Sequence, residues 1–289
     1  MKHTRKLILY GLYTLAVLSV FLYWRFPSQT VSELIVAQIQ QASPAIQVSI
    51  KDAYAAFPLG LKLEPVAVAY ADLPIANLDY LKVTPALLTI LGSQKEFAFN
   101  AVMGRGTLKG SAELMTDAQR PQTKIILNLN NVPIDQFEML KQWPKYKIAG
   151  EMNAYVDFDS RKGTGGTINV NLEITPAKII FSAPLMGIEQ LEFSQIQTEM
   201  TLTPRMLQIK RCDASGTQLE GKLTGSIVFR QPLQSSRLTL SCTIKPQAAF
   251  LAEHRNDMLA AMLGSENAQK RGIIFRISGT LDNPSYVIR

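Results

Sequence analysis

Two cysteines and two histidines are all that the 289 residues contain. Structural zinc sites draw four ligands from Cys and His, and a disulfide framework needs a regular set of cysteines, so both classes are excluded. Hydrolytic zinc chemistry goes with them, because His3 lies in the amino-terminal tail and leaves His254 as the sole imidazole of the remainder. No Ser or Cys stands in a nucleophile elbow beside a base. No Lys/Arg run is interleaved with aromatics in the way that follows a phosphate backbone, which argues against a nucleic-acid partner. The expectation is a binding or structural protein, not an enzyme, with no cofactor.

What is present is apolar residue: 47% of the chain, with a formal charge of +7. Lys2, Arg5 and Lys6 precede Leu7 to Trp24, 18 residues without a charge, and Arg25 closes the run. At about 1.5 Å per residue this stretch spans roughly 27 Å, near the hydrocarbon thickness. Tyr23 and Trp24 supply one interfacial aromatic belt. The run is longer than the apolar core of a usual signal peptide, and Trp24-Arg25-Phe26-Pro27 has no small-residue cleavage site. Residues 7–24 therefore read as a single uncleaved transmembrane helix. The basic residues lie before it, which puts residues 1–6 in the cytoplasm and the bulk of the chain across the membrane. Without Lys2, Arg5, Lys6 and Arg25, 26 basic residues face 23 acidic ones. Most of the positive charge is thus a topology signal.

Residues 25–45 read as a juxtamembrane helix. Ser28 is a candidate cap, and Val31, Leu34, Ile35 and Ile39 recur at helical spacing. From residue 46 to the carboxyl end the chain reads as a β-rich periplasmic domain with alternation of period two. The exceptions are a helical turn near Pro85 to Leu91 and two helices, Pro133 to Trp143 and Pro246 to Gly264. Four segments share a template: GTLKGSAEL from Gly106, GEMNAYVDF from Gly150, GTINVNLEI from Gly166 and GKLTGSIVF from Gly221. Each is a strand with one greasy face, and their unequal spacing excludes a strict solenoid. The fold class expected is mainly β: a transmembrane helix, then a long curved antiparallel sheet, as a sandwich or trough, with a few short helices.

Near-misses for chemistry resolve on inspection. GTQLEGKL at Gly216 lacks the hydroxyl residue and the helix that a phosphate-cradling loop requires. Asp157 and Asp159 share one face of a strand, and alternation with Val156 and Phe158 makes that the solvent face. Cys242 is in phase with Leu238, Leu240 and Ile244. Cys212 is out of phase with Leu207 and Ile209, which predicts opposite faces and two unpaired thiols.

The sequence resembles the type II secretion system protein N family (GspN), in the form with one amino-terminal anchor. The likeness rests on FPLGLKLEPVAV at Phe57, LDYLKVTPALLTILGSQKEFAFNAVMGRGTLKG at Leu78 and LEGKLTGSIVFRQPLQSSRLTL at Leu219. The closing ISGTLDNPSYVI from Ile277 is similar to the ends of AsmA-like domains, whose curved sheets are implicated in lipid handling. The first resemblance implies a non-enzymatic, single-pass inner-membrane component of the type II secretion system. Its partners would be the inner-membrane platform or the outer-membrane channel. The second implies an alternative, a lipid-binding or lipid-transfer module with membrane lipid as partner. In that reading the greasy faces line a groove whose wall includes Leu108, Met152, Ile168, Leu223 and Ile227, and Gly110 and Gly225 make room. The competing reading packs these residues against protein alone.

Overall fold

A computed structural model of the chain describes residues 25–42, 44–56, 60–70, 73–87, 89, 92–115, 122–141, 146–162, 165–185, 188–253 and 270–288, with isolated positions before residue 25. The expected transmembrane run is represented by Tyr10, Gly11, Tyr13, Thr14 and Val17, which are helical and exposed. The rest of that run lies outside the described residues, as do Lys2, Arg5, Tyr23, Trp24 and His254. Among the described residues no helix is long and apolar enough to cross a membrane.

Alternation dictates the fold. In β13 (Leu219–Val228) Leu219, Gly221, Leu223, Gly225 and Ile227 alternate with Glu220, Lys222, Thr224 and Ser226. In β14 (Arg237–Pro246) Leu238, Leu240, Cys242 and Ile244 alternate with Thr239, Ser241 and Thr243. Successive side chains of a strand point to opposite faces, so each strand is apolar on one side and polar on the other. The other fourteen strands are β1 (Ile46–Ala56), β2 (Gly60–Tyr70), β3 (Leu73–Leu78), β4 (Tyr80–Pro85), β5 (Gln94–Met103), β6 (Gly106–Met115), β7 (Gln122–Pro133), β8 (Tyr146–Asp159), β9 (Thr167–Leu185), β10 (Ile188–Phe193), β11 (Gln195–Thr203), β12 (Met206–Ser215), β15 (Ile273–Thr280) and β16 (Pro284–Ile288).

All sixteen belong to one antiparallel sheet whose order follows the chain. Two strands branch from the line: β3 pairs with the far half of β2, and β10 with the far half of β9. The register keeps the apolar faces together across the ladder. One row runs Ala112↔Ile125↔Phe158↔Ile168↔Leu202↔Leu207↔Ile227↔Leu238 through eight strands. It is a long meander, as the spacing of the glycine-led strands implies.

The helices are few, and each lies where apolar side chains need cover. The Ser28–Ala42 helix sets Val31 and Ile35 against Ala53, Leu63 and Val66. Ser28 does not use its hydroxyl as a cap: the oxygen accepts the Ala53 amide at 3.0 Å and ties the helix to β1. The helix expected at Pro133 to Trp143 is a short 3-10 turn, Ile134–Gln136, followed by Glu138–Lys141. Of the helix expected at Pro246 to Gly264, Ala248–Glu253 is described, and residues 254–264 lie outside the described residues. Of the helical turn expected near Pro85 to Leu91, residues 88, 90 and 91 lie outside the described residues, and Thr89 donates its amide to the Ala86 carbonyl in a turn.

Candidate functional site

The apolar face is roofed along one border, and over β1 and β2 by the Ser28–Ala42 helix; among the described residues the rest of it lies outside these buried clusters. At one end of the strands β3 and the Ile134–Lys141 segment fold over it. There Ala76, Met103, Leu129 and Val132 are buried with Phe137, Leu108 and Met152. At the same strand ends, farther along the sheet, β10 and the Ala248–Glu253 helix do likewise: Phe250, 1% exposed, buries Ala177, Phe193 and Leu219. Two of the lid segments, Ile134–Lys141 and Ala248–Glu253, belong to the long connections from β7 to β8 and from β14 to β15.

Beyond the lids, Ile168, Leu202, Leu207, Leu223, Ile227 and Leu240 are half-buried and belong to no buried cluster. A sheet face this apolar must be covered by a second layer or by a ligand. The register places all five expected wall residues on this face, and packing sorts them. Leu108 and Met152 lie against Phe137 and Ile75 under the roof, whereas Ile168, Leu223 and Ile227 stand on the open part.

The two glycines expected to make room have other work. The Phe99 ring lies over Gly110, where a Cβ would approach its Cζ to 2.7 Å, so that space is filled by the protein itself. Gly225 has φ +137°, and a Cβ there would overlap the Thr239 carbonyl oxygen. It serves a bulge, in which Lys210 and Arg211 together stand against the single Thr224.

That bulge corrects the cysteine phasing. It inserts one residue after Ile209, so Cys212 returns to the apolar face and pairs with Leu223, as Cys242 does from the other side. Both thiols are free. Burial pushes both above their ordinary range; the Thr198 hydroxyl opposes this at Cys212, and each effect favours or disfavours the thiolate in the expected sense.

The polar face carries the groups the alternation sends there. Asp159 departs from its expected solvent role: it is 4% exposed and bonded to Arg161. Its two oxygens accept from Nε at 2.9 Å and Nη2 at 3.0 Å, and Oδ1 also takes the Arg161 amide at 3.0 Å. This guanidinium and amide hold the carboxyl down at about 2. Asp157 stays on that face with a buried Oδ1 that has no partner among the described residues. GTQLEGKL runs into β13, so it opens a strand and not a helix. Among the described residues no group of three or more His, Cys, Asp or Glu is placed to hold a metal.

Sequence reading missed a second feature of the polar face. Asn128 and Asn130 on β7, Asn153 on β8, and Asn169 and Asn171 on β9 gather in one patch. The signal is present as N-x-N at two places, Asn128-Leu129-Asn130 and Asn169-Val170-Asn171. An open depression of about 450 Å³ lies over this patch and extends to Glu199 and Arg211.

The fold and face together define a class: an open antiparallel meander with one continuous apolar side. Compared with protein-family models, curated proteins and solved structures, the chain matches none.

Proposed function

We propose that this protein is a non-enzymatic component of the type II secretion system, anchored in the inner membrane by residues 7–24 with its sheet in the periplasm, and that the sheet holds the acyl chains of membrane lipid. The two halves of this reading have separate support. The secretion system enters through the sequence resemblance, the order of segments and the charge flanking the anchor. The lipid enters through one observation: Ile168, Leu223 and Ile227 are on an apolar face with no protein layer over them among the described residues. Water against that face costs free energy in proportion to apolar area, and acyl chains remove the cost without directional bonds.

The lipid half is tested in cells with a photoreactive benzophenone side chain placed at Ile227 or Leu223, and separately at their neighbours Ser226 and Thr224 on the opposite face. Lipid adducts, read by mass spectrometry, are expected at the first pair and not the second. Equal labelling of both faces, or none on the apolar one, defeats the acyl-chain reading. The secretion half is tested by deletion: secreted enzymes should accumulate in the periplasm, and crosslinks to platform or channel subunits should form. A deletion that leaves secretion intact and captures no such subunit removes it.

A further inference from the structure

We propose that the polar face is a second binding site, for a neutral oligosaccharide laid across the strands. The register aligns Asn128, Tyr155, Asn171, Glu199 and Arg211 as direct cross-strand partners on β7, β8, β9, β11 and β12. Four inter-strand steps of about 4.8 Å give a row roughly 19 Å long. It runs along the floor of the depression of about 450 Å³. A smaller one of about 210 Å³ continues it, sharing Gln197 and Arg211.

Asn is among the residues depleted in strands, and a merely solvated face is served as well by Thr, Lys or Glu, as at Thr239 and Lys222. Concentrating asparagines on three adjacent strands works against local propensity, and such conflicts occur at functional sites. The side chains of Asn128, Asn171 and Gln197 make no hydrogen bond among the described residues, so both their donors and their acceptors face the depression.

The chemistry of the row selects its ligand. Amides donate and accept together, and so do sugar hydroxyls. Tyr155 is 40% exposed and offers an aromatic face, whose negative quadrupole attracts the positively polarised C–H edge of a pyranose ring. A polyanion is disfavoured, because Glu199 faces Arg211 and Asp213 pairs with it. A protein partner would want buried aromatic and apolar anchors, and a strand-adding peptide would use an edge and not a face. Acyl chains have no complement here. With the sheet in the periplasm, as proposed above, two sources share the required chemistry, the glycan backbone of the cell wall and neutral O-antigen sugar of lipopolysaccharide.

The test uses the full chain in a polyoxyethylene detergent, which has no sugar headgroup. A tetramer of β-1,4-linked N-acetylglucosamine and a neutral, lipid-free O-antigen oligosaccharide are titrated by calorimetry. One of the two is expected to bind, and which one identifies the source. Asn171→Ala or Tyr155→Ala should weaken that affinity by about tenfold or more, and Thr239→Ala, remote on the same face, should not change it. Both truncated side chains are exposed, so the fold should stand; Asn128→Ala replaces either variant if its melting curve shifts. Binding of neither sugar at millimolar concentration, or binding that the variants retain in full, overturns the proposal.

Discussion

Cys212 and Cys242 face the same way, one on each side of Leu223, which is the direct cross-strand partner of both. Two strand spacings of about 4.8 Å separate them, beyond the reach of a disulfide without backbone movement. The native protein should therefore show two free thiols after oxidation, by mass spectrometry of unreduced peptides. Leu223→Cys should change that result. It puts a third thiol directly opposite each of the others, and mild oxidation should link it to Cys212 or Cys242. Failure to form either link would contradict the register of β12, β13 and β14.

The same pair marks how far the sequence could be read. Alternation in β13 and β14 is uninterrupted, so their faces were legible. In β12 the count fails at Lys210-Arg211, because a bulge adds a residue without leaving a composition signal on its own strand. Its sign is on the partner strand, in Gly225. The Ser28–Ala42 helix was legible from its spacing, but the use of Ser28 to hold Ala53 depends on tertiary placement. The candidate face was legible as a face. That Leu108 and Met152 are roofed while Ile168 is open depends on where the Ile134–Lys141 segment folds back, and periodicity contains nothing about that.

Gly225 and Gly221 occupy the same apolar face, four residues apart, and should respond differently to alanine. At Gly225 the φ of +137° is unfavourable for an L residue and the Cβ overlaps backbone, so Gly225→Ala should cost more than about 1 kcal/mol. At Gly221 the nearest atom is the Ala214 Cβ at an ordinary 3.5 Å. Gly221→Ala should change stability by less than about 0.5 kcal/mol, or raise it. Urea midpoints of the two variants check the contrast.

The Asp159 to Arg161 contact predicts a pH dependence with a definite sign. The folded carboxyl is held at about 2, below its ordinary 3.8. Its contribution to stability is present above the unfolded value and is lost as pH falls from about 4 through 2. Asp159→Asn should lower the urea midpoint at pH 7 and have little effect near pH 2. The wild type and the variant should thus converge on acidification, and a constant gap across that window would show that the carboxylate is not the cause.

Roofed and open residues of the apolar face should separate in function as well as in stability. Met103 is 1% exposed beneath the roof, so Met103→Ala removes packed methylenes and leaves a cavity, at a cost of about 2 to 5 kcal/mol. Ile227 has the same orientation without the roof, and Ile227→Thr removes apolar area that is already half in contact with solvent. Its loss of stability should be smaller than that of Met103→Ala. If acyl chains occupy the open face, lipid crosslinking from a benzophenone at Leu223 should nevertheless fall in Ile227→Thr, and persist in whatever fraction of Met103→Ala remains folded. The reverse ranking would mean that the open face is covered by protein after all, and that its apolar residues serve packing alone.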